Sequence, residues 1–150
     1  MSWILGVDPG ASGALAFYDP LQPGFIAVQD MPIADGKVCA VQLAQAVRMM
    51  EPAVAWIELV GAMPGQGVTS MFNFGVSFGV AKGTILALGV PVQLVRPNKW
   101  KKALGLKADK EQARELAIRL WPDQAEWFAR KKDAGRAEAA LLARYGSGVF

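Results

Sequence analysis

The chain has 150 residues, 53% of them apolar, and a net charge of +3. That length suits one domain with a real core, and no apolar run is long enough to span a membrane. It has no histidine and one cysteine, Cys39, which excludes a Ser-His-Asp triad, His-ligated zinc and internal disulfides. A hydrolase made from these residues has to work with carboxylates, lysines, metal ions and water.

Met1 leads directly into a strand, so no signal peptide is expected, and the cysteine usage fits a reducing cytoplasmic setting. Charge is unevenly placed. Residues 1–95 carry 3 basic and 6 acidic side chains, and residues 96–150 carry 13 and 7. A basic second half suggests a polyanionic partner; a merely solvated lysine-rich surface is the blander alternative.

Trp3 to Val7 reads as a strand rich in β-formers, closed by Asp8 and the Pro9-Gly10 turn. Gly13 to Asp19 and Phe25 to Asp30 follow as strands, giving an antiparallel meander. Asp8 next to buried Val7 costs solvation unless something cationic or hydrogen-bonding meets it; it reads as a metal ligand, a general base or a turn aspartate bonding its own backbone. Val38 to Met50 has helical spacing and ends before Pro52. Ala53 to Val60 is a short, near-continuous apolar run, the pattern of a strand covered on both faces. Glu58 interrupts it, and a carboxylate there is expensive unless paired or metal-bound.

Gly61 to Gly67 is a loop, after which Thr69 or Ser70 can cap a long helix to about Leu88. Gly75, Gly79 and Gly83 share one face of that helix, suited to tight packing on the sheet or to a homodimer contact. Phe72, Phe74 and Phe78 suit core packing, with base stacking as the other use. Pro91 to Val95 is the fifth strand of the sheet. Arg96-Pro97-Asn98-Lys99-Trp100-Lys101-Lys102 follows it. Asp109 begins another helix, with Gln112 at capping-box spacing, and Pro122 ends it. Arg130-Lys131-Lys132-Asp133 leads into a last helix through Arg144. No repeat or linker divides the chain, so residues 1–150 read as a single domain. The order predicts an α/β fold with a mixed five-stranded sheet and helices on both faces.

The last helix carries Glu138 on an otherwise apolar face. Asp133, five residues earlier, would point about 140° away on a regular helix, so it belongs before the helix, as a cap or in a bent approach. If the strand of Ile57 lies beside that of Val7, Asp8 and Glu58 emerge at the same edge of the sheet, the usual ligand edge of an open α/β sheet. With Glu138 they form a candidate hard-cation site.

Gly6-Val7-Asp8-Pro9-Gly10 with Gly13, Ile57-Glu58 closing an apolar strand, and Ala137-Glu138-Ala139 on the last helix resemble the RuvC-like Holliday junction resolvases. Met63-Pro64-Gly65-Gln66-Gly67-Val68, Phe72-Asn73-Phe74-Gly75 and Arg96-Pro97 with Trp100-Lys101 are similar to the short phage and bacterial members. The resemblance covers nearly the whole chain in the same order. It implies an RNase H-like fold, a bacterial or phage-infected cell, and a homodimer nicking two strands of a four-way or other branched DNA junction. It also implies two Mg²⁺ ions (Mn²⁺ as substitute) on Asp8, Glu58 and Glu138. Many relatives have an acid or histidine three or four residues before the last carboxylate; here those positions are Gly135 and Ala134, and Asp133 is the nearest substitute. Near Gly61, relatives often carry an aromatic or histidine. Arg130, Lys131, Lys132 and Arg136 flank the implied site, with Lys99, Lys101 and Lys102 extending a DNA-binding track. Two other readings stand beside this one: a junction-binding protein that has lost efficient cleavage, and an actin-like or sugar-kinase-like nucleotide-binding domain whose phosphate loop would run from Asp8 to Gly13.

Overall fold

The computed structural model describes residues 2–61, 64–107 and 109–149; Met63, in the loop motif quoted above, lies outside them. β1 (Ile4–Asp8), β2 (Ala14–Tyr18) and β3 (Ile26–Asp30) form the expected antiparallel meander. A small hairpin follows, β4 (Ile33–Ala34) and β5 (Lys37–Val38). Its two-residue turn, Asp35-Gly36, has positive φ at both positions (53° and 72°), the conformation Asp-Gly tolerates best.

Helix α1 (Ala40–Met50) leads to β6 (Val54–Glu58), which lies parallel to β1. Helix α2 (Val68–Ala87) leads to β7 (Val92–Val95), parallel to β6. The sheet order is β3-β2-β1-β6-β7. Helices α3 (Pro97–Ala103), α4 (Lys110–Leu120) and α5 (Ala134–Gly146) complete the fold. Short 3-10 turns at Pro122–Phe128 and Lys131–Asp133 join the last two.

The sheet is covered on both faces, as its apolar strands require. Alternate residues Leu5, Val7, Leu15, Phe17 and Ile57 pack with Leu43 and Val47 of α1 and Ala81 and Ile85 of α2. Ile4, Ala14, Ala16 and Tyr18 face the other way, onto Trp100, Ala117 and the apolar side of α5. α5 lies directly on β1: a Cβ at Gly6 would collide with the Ala139 carbonyl and the Ala143 nitrogen, so only glycine permits that approach.

The Arg96–Lys102 stretch, given no element in the sequence reading, forms helix α3, with Pro97 at its first position, where proline's fixed φ suits a helix start. Four local expectations are corrected. α2 begins two or three residues earlier than a Thr69 or Ser70 cap would have it; Gly67 is the cap residue, with no side-chain bond. Asp109 does cap α4, accepting from the Glu111 N–H at 2.9 Å, but the Gln112 amide oxygen accepts from Lys107 N–H instead of closing a capping box. The glycine face of α2 does not pack on the sheet: Gly75, Gly79 and Gly83 are exposed, and a Cβ added at any of them would meet no described residue beyond the helix's own backbone within 4 Å. Phe72 is likewise exposed, not core, whereas Phe78 packs against the α1–α2 side. No helix among the described residues is long and apolar enough to cross a membrane.

Candidate active site

β1 and β6 are parallel neighbours with Val7 opposite Ile57. One residue further, Asp8 and Glu58 leave the sheet side by side at its C-terminal edge. α5, lying across β1, brings Glu138 near enough for its charge to act on Asp8 and Glu58, and the charge of Glu58 acts on Asp8. Burial, with like charge from Glu138 and Glu58, pushes the Asp8 carboxyl up to about 7; Lys110 and the Gly10 backbone N–H pull it back part of the way. Burial and Glu138 also push Glu58 up, against the Trp100 hydrogen bond and the charges of Lys101 and Lys110. The cluster therefore holds more negative charge than its surroundings compensate.

α3 supplies two of the compensating groups. The Trp100 indole N–H donates to Glu58 Oε2 at 2.9 Å, and Lys101 Nζ lies 3.4 Å from Glu138 Oε2. Lys101 thus turns inward onto the acids, while Lys99 and Lys102 on the same helix are exposed. Sequence reasoning did not single out Lys110, and it took Trp100 only as part of the Arg96–Lys102 motif. No spacing signal marks either: Lys110 opens α4, and Trp100 lies within a run of charges on α3.

Asp133 is placed differently from the other acids. It precedes α5, as its spacing demanded, and is 2% exposed. Its oxygens accept from the Arg130 backbone N–H at 2.9 Å and from the Arg130 guanidinium, with Nη2 at 2.9 Å. Arg136 Nη1 lies 3.5 Å away. Burial acts to raise this carboxyl, but the Arg130 hydrogen bonds and the Arg136 charge outweigh it and hold it below the usual range. Arg136 itself forks onto Asp30 at 2.8 and 3.0 Å. Arg130, Lys131 and Lys132 are exposed. Gly135 sits where a Cβ would come within 3.2 Å of Asp8 Oδ2 and 2.9 Å of the Ser12 carbonyl, so the first turn of α5 presses backbone, not a side chain, against Asp8. Gly61 is exposed, and a Cβ added there would meet none of the described residues within 4 Å.

Among the described residues, no three His, Cys, Asp or Glu side chains are gathered closely enough to enclose a metal ion. The donor chemistry nevertheless suits one. Asp8, Glu58 and Glu138 are hard oxygen donors, their mutual repulsion favours an added cation, and the Lys101 ammonium already stands against Glu138.

The structural relatives agree over nearly the whole chain. The fold matches T. thermophilus RuvC in complex with Holliday junction substrate with a TM-score of 0.68, covering 99% of this chain and 97% of that one at 17% identity. The fold is RuvC-like. A second Thermus thermophilus RuvC structure matches with a TM-score of 0.63 at 16% identity, covering 97% of this chain and 94% of that one. The yeast mitochondrial Holliday junction resolvase Ydc2 matches with a TM-score of 0.54 at 18% identity, covering 95% of this chain and 76% of that one. The mixed sheet with helices on both faces is thus the RNase H-like arrangement the motifs implied. In sequence, the chain is 30% identical over 96 residues to the chloroplastic Holliday junction resolvase MOC1 of Chlamydomonas reinhardtii. That stretch is 63% of this chain but spans only 11% of the relative. No family model matches the chain. In the RuvC-like frame, Asp8, Glu58 and Glu138 lie at the carboxyl edge of the central strands.

Proposed function

We propose that this chain is a structure-selective endodeoxyribonuclease that resolves four-way or other branched DNA junctions by paired nicks, acting as a homodimer with Mg²⁺, for which Mn²⁺ can substitute. The observation that carries this reading is the convergence of Asp8, Glu58 and Glu138 from β1, β6 and α5, with Asp8 raised to about 7, on a RuvC-like fold. These three carboxylates would hold the metal. When bound, divalent ions activate water and stabilise the leaving oxygen of a phosphodiester, chemistry that needs no histidine.

The chain's own residues do the rest. Trp100 and the parallel β1–β6 register hold Asp8 and Glu58 in place. Lys101 and Lys110 put positive charge beside the acids, where it offsets repulsion toward an incoming phosphate. Lys99, Lys102, Lys131 and Lys132, all exposed, contribute sequence-independent phosphate affinity. The second copy in a homodimer would meet the open glycine face of α2, because paired incisions on a two-fold junction need two facing sites.

A labelled four-way junction incubated with Mg²⁺ or Mn²⁺ tests the proposal. Symmetric nicks support it. Stable shifted complexes without product would favour the second reading, a junction-binding protein with weak cleavage, which the engagement of Asp133 by Arg130 and the glycine at position 135 keep in view. Saturable ATP binding insensitive to DNA would revive the nucleotide-binding reading.

A further inference from the structure

Asp133 spends its carboxylate on arginines. Oδ2 accepts the Arg130 backbone N–H at 2.9 Å, and Arg130 Nη2 reaches Oδ1 at 2.9 Å. Arg136 Nη1 lies 3.5 Å from the same Oδ1, while its other nitrogens fork onto Asp30. The Arg136 guanidinium is further pinned over the Trp127 ring at 5.0 Å. Asp133 thus fixes the Arg130 guanidinium, while Arg136, held by Asp30 and by the Trp127 carbonyl at 3.3 Å, stands beside it; both lie at the rim of a cleft of about 290 Å³ lined by Ser12, Asp30, Arg130, Lys132, Asp133 and Arg136. Three cations against two acids leave that cleft a net charge of +1. The Arg130 side chain is 54% exposed, and Lys132 has no ion pair with any described residue. Gly135 joins this cleft to the acidic site, with Ser12 on one side and Asp8 on the other.

We propose that Asp133 is a positioning residue for substrate phosphate: it holds Arg130 beside the Asp30-bound Arg136 so that, with Ser12 and Lys132, Arg130 forms a second phosphodiester subsite next to the Asp8–Glu58–Glu138 site. The proposal rests on the resolvase reading and deepens it. A guanidinium is a rigid planar fork whose geometry matches a phosphate, and holding it in advance removes the ordering cost at binding. A buried acid that faced the metal would need its oxygens free, whereas these are committed to Arg130.

The sign of one substitution tests it. Removing a negative charge near a DNA phosphate should by simple Coulomb attraction tighten binding. If Asp133 acts by positioning, Asp133→Asn weakens it. Binding of a fluorescent four-way junction is measured without divalent metal over a range of salt. Asp133→Asn and Arg130→Ala should each weaken affinity roughly tenfold, the scale of one charge-assisted contact, and lower the log–log salt slope by about 0.9, one phosphate's share. The double variant should lose no more than either alone, and Arg130→Lys should not restore binding. Mn²⁺ affinity of Asp133→Asn, read by calorimetry, should stay at the wild-type value. If Asp133→Asn fails to fold, Arg130→Ala on its half-exposed side chain carries the test. Unchanged or tighter DNA binding overturns the proposal, as does lost Mn²⁺ affinity with DNA binding intact. A wild-type chain that does not bind the junction overturns this proposal and the resolvase reading together; a wild-type chain that binds and nicks while Arg130→Ala binds equally well overturns this one alone.

Discussion

The Trp100 indole N–H donates to Glu58 Oε2 across 2.9 Å, and both side chains are buried. Burial and the charge of Glu138 favour the protonated form of Glu58, and this hydrogen bond favours the ionised one. The donor is neutral, so it orients the carboxylate without cancelling the charge a cation would need.

Trp100→Phe keeps the ring in the core and removes only the donor. A buried oxygen left without its partner costs about 1–3 kcal/mol. Glu58 should also hold its proton to higher pH. The expected outcome is a melting temperature lowered by several degrees and a nicking rate whose rise with pH begins later than in wild type. An unchanged pH onset would mean that the indole serves packing alone.

Asp8 predicts a pH dependence of stability in the absence of metal. Its carboxyl stands near 3.8 when unfolded and about 7 when folded. Between those values the folded state binds the extra proton, so Asp8's contribution lowers stability as pH rises through this window, and the full penalty applies above about 7. Asp30, held low chiefly by the Arg136 hydrogen bond, and Asp133, held low by Arg130 against its own burial, act with the opposite sign. Their stabilisation is present above the unfolded value of 3.8 and is lost as pH falls through their lower folded values. Asp8→Asn should therefore melt higher than wild type at pH 8 and at nearly the same temperature at pH 4. Added Mn²⁺ should raise the wild-type melting temperature at pH 8 but not that of the variant. Equal melting at both pH values would argue that the Asp8 carboxylate is not desolvated.

Much of this architecture was legible because the strands carry strong signals. The apolar run around Ile57, interrupted only by Glu58, left a doubly covered strand as its natural reading, and β6 ends on that glutamate. The period that isolated Glu138 on an apolar helix likewise put it on α5 against β1. Three things were harder to read. The Asp35-Gly36 hairpin carries a strong local turn signal, but its strands are two residues each, too short for alternation to show. α3 was hidden by a run of charges that reads as solvated surface, because only the tertiary position of Trp100 turns one side of it inward. Asp133 was separable from Glu138 by helical geometry, but its partners were not, since Arg130 and Asp133 close their contact through a 3-10 turn and not a regular helix.

Lys131 and Lys132 give a prediction about phosphate contacts. Both are exposed and neither forms an ion pair with a described residue, so neutralising them should not disturb the fold. Lys131→Ala with Lys132→Ala should weaken junction binding at low salt and flatten the log–log dependence of affinity on salt. The melting temperature should remain within a degree or two of wild type. A salt slope identical to wild type would put the DNA on another surface.

The open face of α2 makes the last prediction. Val68, Phe72, Gly75, Gly79, Gly83 and Leu86 recur at helical spacing on one exposed side, and a Cβ added at any of the three glycines would meet no described residue beyond the helix's own backbone within 4 Å. Each glycine costs a helix about 1 kcal/mol relative to alanine, a standing cost that no packing contact among the described residues offsets. In a homodimer, a smooth glycine face lets a second backbone approach closely and buries the exposed Phe72 and Leu86 side chains. Gly79→Ala and Gly79→Arg separate the two situations. In an isolated monomer, Gly79→Ala should stabilise the chain by up to about 1 kcal/mol, and Gly79→Arg, pointing into solvent, should also be tolerated or mildly stabilising. In a dimer packed through this face, Gly79→Arg forces a long charged side chain into a close contact. Sedimentation of the wild type at tens of micromolar should then show a dimer, and Gly79→Arg a folded monomer with its helical signal intact. Paired nicking of a junction should become single, uncoupled nicking in that variant. A wild type that sediments only as a monomer, with or without junction DNA, would count against this face as the contact.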